Sequence, residues 1–145
     1  VYLINSHPMW GPESYSANNG LKDLKIVLHP LRIPKTLFKE IKSKLKKAGF
    51  KLIVQTPKEH DRDAANSQAL AQFVGKILQK MPAKEVKIST LGFERLKSLM
   101  PFVVKNTEEL FYSLQNYNPY AQQARERFLK TADKLHFDIE QKKLK

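Results

Sequence analysis

Four residues near the middle of the chain, Thr56-Pro57-Lys58-Glu59, separate two stretches with different hydrophobic periods. A threonine at a helix N-cap accepts a hydrogen bond from the backbone three residues on, and a glutamate there reaches back to the threonine's own N–H. Proline fits the first helical position, where its missing N–H costs nothing. A helix therefore starts at Pro57, and what precedes it must end there.

Upstream, Val1-Tyr2-Leu3-Ile4-Asn5 is a short apolar strand. Ser6 to Gly20 holds Pro8, Gly11, Pro12, Asn18, Asn19 and Gly20 and reads as a loop. Lys25-Ile26-Val27-Leu28-His29 is a second strand, closed by Pro30. Leu37, Phe38, Ile41, Leu45 and Ala48 recur at helical spacing after Pro34, with Gly49 as the stop. Phe50 to Gln55 is a third strand. Strand–helix–strand is the order found at the edge of an α/β sheet.

Downstream the spacing is helical throughout. One long helix is expected from Pro57 to about Lys80, with Ala65, Ala69, Phe73, Ile77 and Met81 on one stripe and Pro82 ending it. Ser89/Thr90 starts a second stretch, which Pro101 should kink or split. Thr107-Glu108-Glu109 caps a short helix to about Asn116. Asn118-Pro119 opens the last, where Ala121, Ala124, Phe128, Ala132, Leu135 and Ile139 recur three and four apart. The expectation is an α/β edge segment over residues 1–56 and an all-α domain over 57–145. The last stripe suits a core, or half of a two-fold interface, because so few helices make a thin bundle.

The 145 residues can bury one ordinary core. No apolar run approaches the roughly 18 residues that span a bilayer. With no cysteine there is neither a disulfide framework nor a thiolate metal site, which fits a cytoplasmic protein. The start has no basic leader and no methionine, so the chain is expected to be a piece of a longer one. The formal charge of +12 raises the question of a nucleic-acid partner. Its densest run, Lys35 to Lys47, falls on the polar face of an amphipathic helix, and basic and aromatic residues are not interleaved as in RNA-binding motifs. A solvated surface is the expected role, with no nucleic acid and no membrane partner. A basic helical nucleic-acid binder is the reading that charge alone would support, and salt-sensitive binding would reveal it.

The chemistry concentrates in Ser6-His7-Pro8-Met9-Trp10-Gly11-Pro12-Glu13-Ser14. A histidine directly after a strand, in a loop stiffened by two prolines and a glycine, sits at a sheet edge where open α/β sheets bind ligands. There it can take a proton near neutral pH, or merely cap backbone groups. His60-Asp61 follows the capping box, where it could touch a ligand, stabilise the first turn through the backbone dipole, or orient against the neighbouring strand. Gln68 and Gln72 lie one turn apart. His29 and His136 are isolated, and no His/Asp/Glu set has metal-ligand spacing, so no metal is expected.

His-Pro-Met-Trp-Gly-Pro-Glu resembles the His-Pro-Met-Phe-Gly-Pro segment of prephenate and arogenate dehydrogenases. The downstream order is similar too: a strand like Lys25 to His29, a helix, a strand like Lys51 to Val54, then Glu59-His60-Asp61 and Gln68-Ala69-Leu70. The resemblance runs in order over about residues 1 to 115. It implies the C-terminal part of such an enzyme: the last strands of a dinucleotide-binding domain, then a helical domain that dimerises and closes the site. It further implies oxidative decarboxylation of prephenate or arogenate in tyrosine biosynthesis. NAD(P)+ would take a hydride from C4 as the ring loses carbon dioxide. His7 matches the family's catalytic histidine, which binds the C4 hydroxyl and helps remove its proton. Glu13 falls where some members place an acid at the mouth of the pocket, though an exposed carboxylate reads equally well.

The sequence also departs from the family. The usual carboxylate-binding arginine and the Asp-Pro pair after it are replaced by Pro101-Phe102 and Asn106-Thr107. Arg95, in Gly92-Phe93-Glu94-Arg95-Leu96, is the nearest planar cation for a carboxylate, or else a surface ion-pair partner. Gln68 and Gln72 stand where relatives place His or Gln facing the substrate. No Gly-x-Gly-x-x-Gly occurs, so NAD or NADP would be held mainly by residues expected upstream of Val1, and the piece alone should be inactive. The departures leave an alternative: a non-catalytic relative kept as a dimerisation or small-molecule-binding module.

Overall fold

The computed structural model describes residues 1–81, 87–105 and 107–143, without the side chains of Pro12, Glu13, Phe102, Val104 and Lys143. Pro82 and Asn106 lie outside the described residues. The chain divides into two compact units, Val1–His60 and Asp61–Lys145.

The first unit is a three-stranded sheet in the order β1 (Leu3–Pro8), β2 (Lys25–Arg32), β3 (Lys51–Val54), with helices α1 (Pro12–Ala17) and α2 (Lys35–Lys47). β1 runs antiparallel to β2, and β2 runs parallel to β3 through the crossover helix α2. The central strand is buried at three successive residues, Ile26, Val27 and Leu28, as a strand covered on both faces must be. Ile26 and Leu28 pack with Phe38 of α2, joined by Ile4, Leu45, Phe50 and Leu52. Burying a side chain of Phe38's size contributes about 1.5–3 kcal/mol.

α2 ends as its glycine requires. Gly49 takes φ +100, its N–H donates to Lys46 O at 3.0 Å, and Phe50 N–H donates to Leu45 O at 3.2 Å. These are the two bonds of a Schellman stop, and Leu45 and Phe50 meet in the same core cluster.

Three upstream expectations need correction. β1 extends to Pro8, so His7 lies within the strand, opposite Val27, and not in a loop after it. An edge strand can end in proline because nothing beyond it needs the missing N–H. The supposed loop also contains α1, with Gly11 as N-cap and Pro12 at the first helical position. β2 continues past Pro30 to Arg32. Pro30 lies beyond the last β2–β3 pair, Leu28↔Val54, and beside a register irregularity at Leu3/Ile4, so no ladder bond is lost there.

In the second unit all described elements are helical: the end of α3 (Pro57–Ala64), α4 (Leu70–Lys80), α5 (Leu91–Lys97), α6 (Leu99–Val104), α7 (Glu108–Asn116) and α8 (Ala121–Lys143). Thr90 and Thr107 act as N-caps, accepting from Phe93 N and Leu110 N. The α5–α6 break falls at Ser98, three residues before Pro101, whose ring excludes a regular preceding turn.

The long helix expected from Pro57 is not continuous. Ala65–Ala69 forms a π-helical turn between α3 and α4. Asn66 Nδ2 donates to Arg62 O at 2.8 Å and Ser67 Oγ to Asp63 O at 2.6 Å, local side-chain bonds that compete with the regular ladder. The buried core of this unit is largely alanine (64, 65, 69, 121 and 124) with Val103 and Phe111, and Phe73 meets Phe128 edge to face.

Gly75 on α4 is buried where α6 crosses closely: a Cβ there would stand 2.5 Å from Val103 Cγ2 and 3.1 Å from Leu99 O. Gly75→Ala gains about 1 kcal/mol of helix propensity, but overpacking of this kind costs about 1–3 kcal/mol. A net loss is expected in urea denaturation. The double variant Gly75→Ala/Val103→Ala should lose less than its two parents summed, whereas additive losses would contradict the crossing.

Candidate active site

His7 and His60 meet inside the first unit. Register sets one side of the encounter: His7 pairs with Val27, which pairs with Ile53, so the three form one row across the sheet. Side chains alternate along a strand, which puts this row on the face opposite Ile26, Leu28 and Leu52, the residues that pack on α2. The capping box sets the other side. Thr56 N–H donates to Glu59 Oε2 at 2.8 Å and Glu59 N–H to Thr56 Oγ1 at 3.3 Å. His60 follows in the same turn, its N–H donating to Thr56 O at 2.9 Å.

The two rings are 5.0 Å apart at their centroids, tilted by 53°, with His7 Nδ1 2.8 Å from His60 Nε2. One ring nitrogen must donate and the other accept, so the pair holds one proton between them. His7 is exposed as a residue, but desolvation where its ring meets its neighbours, and secondly charge on His60, hold its pKa below the ordinary 6.5. Near neutral pH His7 is thus the neutral, basic form. Trp10, on the same segment, stacks on Phe50 at 6.2 Å.

The remaining site residues fall as follows. Glu13 is in α1, and its side chain lies outside the described residues. Gln68 is half-buried in the π-helical turn of the second unit. Arg95 is exposed in the last turn of α5. No hydrogen bond joins Gln68 to Arg95 among the described residues, and Glu94 pairs with Lys97 at 3.7 Å instead of Arg95. Among the described residues no group of three His, Cys, Asp or Glu could hold a metal ion, and no helix is long and apolar enough to cross a membrane.

Sequence reading did not foresee a network in the second unit. The buried Gln115 donates from Nε2 to Ala69 O at 2.8 Å, within the π-helical turn, and Arg125 Nη1 donates to Gln115 Oε1 and O, each at 2.9 Å. Arg127 donates to Asn66 Oδ1. Arg125 and Arg127 are therefore tied to neighbouring elements. The only sequence signal was a glutamine on the apolar side of a short helix.

The depressed pKa has a sign. Between the folded value and 6.5, His7 is neutral in the folded chain and charged in the unfolded one. The unfolded state then binds more protons, so stability falls as pH drops through that window. Titration of the His7 ring by NMR should give a midpoint below 6.5. In His60→Leu the midpoint should rise but stay under 6.5, because burial is the larger cause; a wild-type midpoint at or above 6.5 would refute this.

Comparison with known proteins places the chain. The family described as "TYRAAT1-like, C-terminal domain" matches residues 77–144. Arogenate dehydrogenase 1, chloroplastic, of Arabidopsis thaliana is 32% identical over 131 residues, 87% of this chain and 20% of that protein. The probable arogenate/prephenate dehydrogenase of Methanocaldococcus jannaschii is 28% identical over 138 residues, 89% of this chain and 30% of that protein. The fold is similar to that of Synechocystis arogenate dehydrogenase, with TM-score 0.71 and 19% identity, over 97% of this chain and 55% of that one. It is also similar to that of Aquifex aeolicus prephenate dehydrogenase, in complex with hydroxyphenyl propionate and NAD+, with TM-score 0.68 and 21% identity, over 96% and 52%. The chain thus spans a fifth to about a third of these curated relatives. It is similar to prephenate and arogenate dehydrogenases over part of their length, in a stretch that includes a match to a C-terminal domain.

Proposed function

We propose that the complete protein carrying this chain oxidatively decarboxylates prephenate or arogenate, with His7 as its catalytic base. The observation that carries this reading is the setting of His7: on an edge strand, within hydrogen-bond distance of a second imidazole, and with its pKa held below the ordinary 6.5. A nicotinamide cofactor, NAD or NADP, would supply the hydride acceptor. The βα turn described here does not suit its pyrophosphate: Ile33-Pro34 leads into α2 with no glycine and no side-chain cap. We assign that role to residues outside this chain. Gln68, Arg95 and Glu13 are proposed as substrate-binding residues, with Arg95 the candidate partner of a substrate carboxylate.

The alternative, a small-molecule-binding or dimerisation module without catalysis, has one observation in its favour. The second unit holds an open cleft of about 480 Å³ lined by Phe73, Lys76, Ile77, Lys80, Phe111 and Tyr112. Steady-state kinetics on the full-length protein, with prephenate and arogenate and each nicotinamide cofactor, separate the two. His7→Gln should lower kcat by roughly 10²–10⁴-fold, the usual worth of general-base assistance, with a much smaller change in KM. An active His7→Gln would refute the catalytic role. An inactive wild type would favour the module.

Homodimerisation through the helical unit belongs to the same proposal. On α8 the stripe begins buried, at Ala121 and Ala124, and continues exposed through Ala132, Leu135 and Ile139. A second copy covering it should bury more than roughly 1,000 Å². Light scattering at micromolar concentration should give a dimer, and Leu135→Glu/Ile139→Glu a monomer. A monomeric wild type would dispose of the interface.

A further inference from the structure

We infer that His60 is the positioning partner of His7 and the second member of a two-imidazole proton relay, accepting the Nδ1 proton of His7 so that the Nε2 lone pair faces the substrate hydroxyl. The inference rests on the catalytic reading of His7 above and assigns a role to a residue that reading does not use.

The geometry leaves two arrangements for a neutral pair at 2.8 Å. If His60 Nε2–H donates, His7 carries its own proton on Nε2 and can only donate to a substrate. If His7 Nδ1–H donates, His7 Nε2 is a base. Only the second serves proton removal. Both rings are held for it: His7 by the β1–β2 ladder, and His60 by a first turn that the Thr56–Glu59 box closes. The tilt of 53° is that of rings joined through their nitrogens, not stacked face to face. His7 Nε2 has no protein partner among the described residues.

The proton balance follows. A bound nicotinamide would supply the acceptor for the C4 hydride; as the C4 oxygen gains carbonyl character, its O–H proton would pass to His7 Nε2. The Nδ1 proton shifts to His60 Nε2, leaving His7 neutral and the positive charge on His60. When the ring carboxylate departs as carbon dioxide, its electron pair aromatises the ring and the C4 oxygen recovers a proton by the reverse path. No net proton is released. The pair holds one while the carbonyl exists.

The test uses the full-length protein labelled with ¹⁵N-histidine, the His7 signals being assigned with His7→Gln. Wild type should show a protonated Nδ1 and an unprotonated Nε2 at His7 at neutral pH. His60→Leu should shift His7 toward the opposite tautomer and lower kcat by roughly 10²-fold, the lower end of general-base effects, with KM changed far less. His60→Gln can accept a hydrogen bond from Nδ1–H but cannot take the proton, so it should restore the tautomer and recover only part of kcat. A proton on His7 Nε2 in the wild type would overturn the inference. So would a His60→Leu enzyme with unchanged kcat, or a His60→Gln enzyme no better than His60→Leu. If wild type is inactive with every substrate and cofactor, the catalytic reading fails and the relay with it. The tautomer then still decides whether His60 positions His7.

Discussion

The passage from β3 to α3 takes two residues, and the geometry around His7 depends on it. Val54 ends the parallel pairing with Leu28, Gln55 N–H donates to Leu28 O at 3.2 Å, and Thr56 is already the helix cap. So short a connection leaves the first turn of α3 no freedom to rotate about the sheet edge. Loss of such a cap costs only about 1 kcal/mol. Its positional effect is larger, because a one-residue slip would carry His60 about 100° around the helix and away from the row of His7, Val27 and Ile53.

That junction was the most legible feature of the sequence, since Thr-Pro-Lys-Glu signals itself through residue chemistry alone. So do Gly49, Thr90 and Thr107, each of which ends or starts a helix by its own backbone or side-chain preference. What stayed hidden depended on partners. Asn5-Ser6-His7-Pro8 has little intrinsic strand preference and becomes strand only because β2 lies beside it. His60 could be read as a dipole contact or as packing on a strand, and the choice of His7 as its partner needed a register that no local pattern supplies.

The π-helical turn was invisible for a related reason. Small alanines at 64, 65 and 69 look the same to a 3.6-residue period whether or not one residue is inserted. Yet such a turn shifts the ladder and leaves backbone carbonyls in need of partners. Ala69 O finds one in the buried Gln115, whose own carbonyl oxygens are occupied by Arg125. Gln68 precedes that carbonyl by one residue, so its position is set by a hydrogen-bond chain reaching through α7 to α8. A buried chain of this kind tolerates no missing member, since each would leave a polar group unpaired.

The choice of an imidazole behind His7, where many catalytic histidines have a carboxylate, can be argued from charge. A carboxylate partner favours the imidazolium and raises its pKa, whereas an uncharged partner does not. The proposed substrates carry anionic groups, which would themselves push a nearby imidazole toward protonation, and a chain with a formal charge of +12 draws anions to its surface. A base in such a site risks arriving already protonated. Desolvation of the ring opposes that pull, and any charge gained by the second imidazole adds to the opposition. Both act most strongly against the one state, imidazolium before reaction, in which His7 could not take a proton.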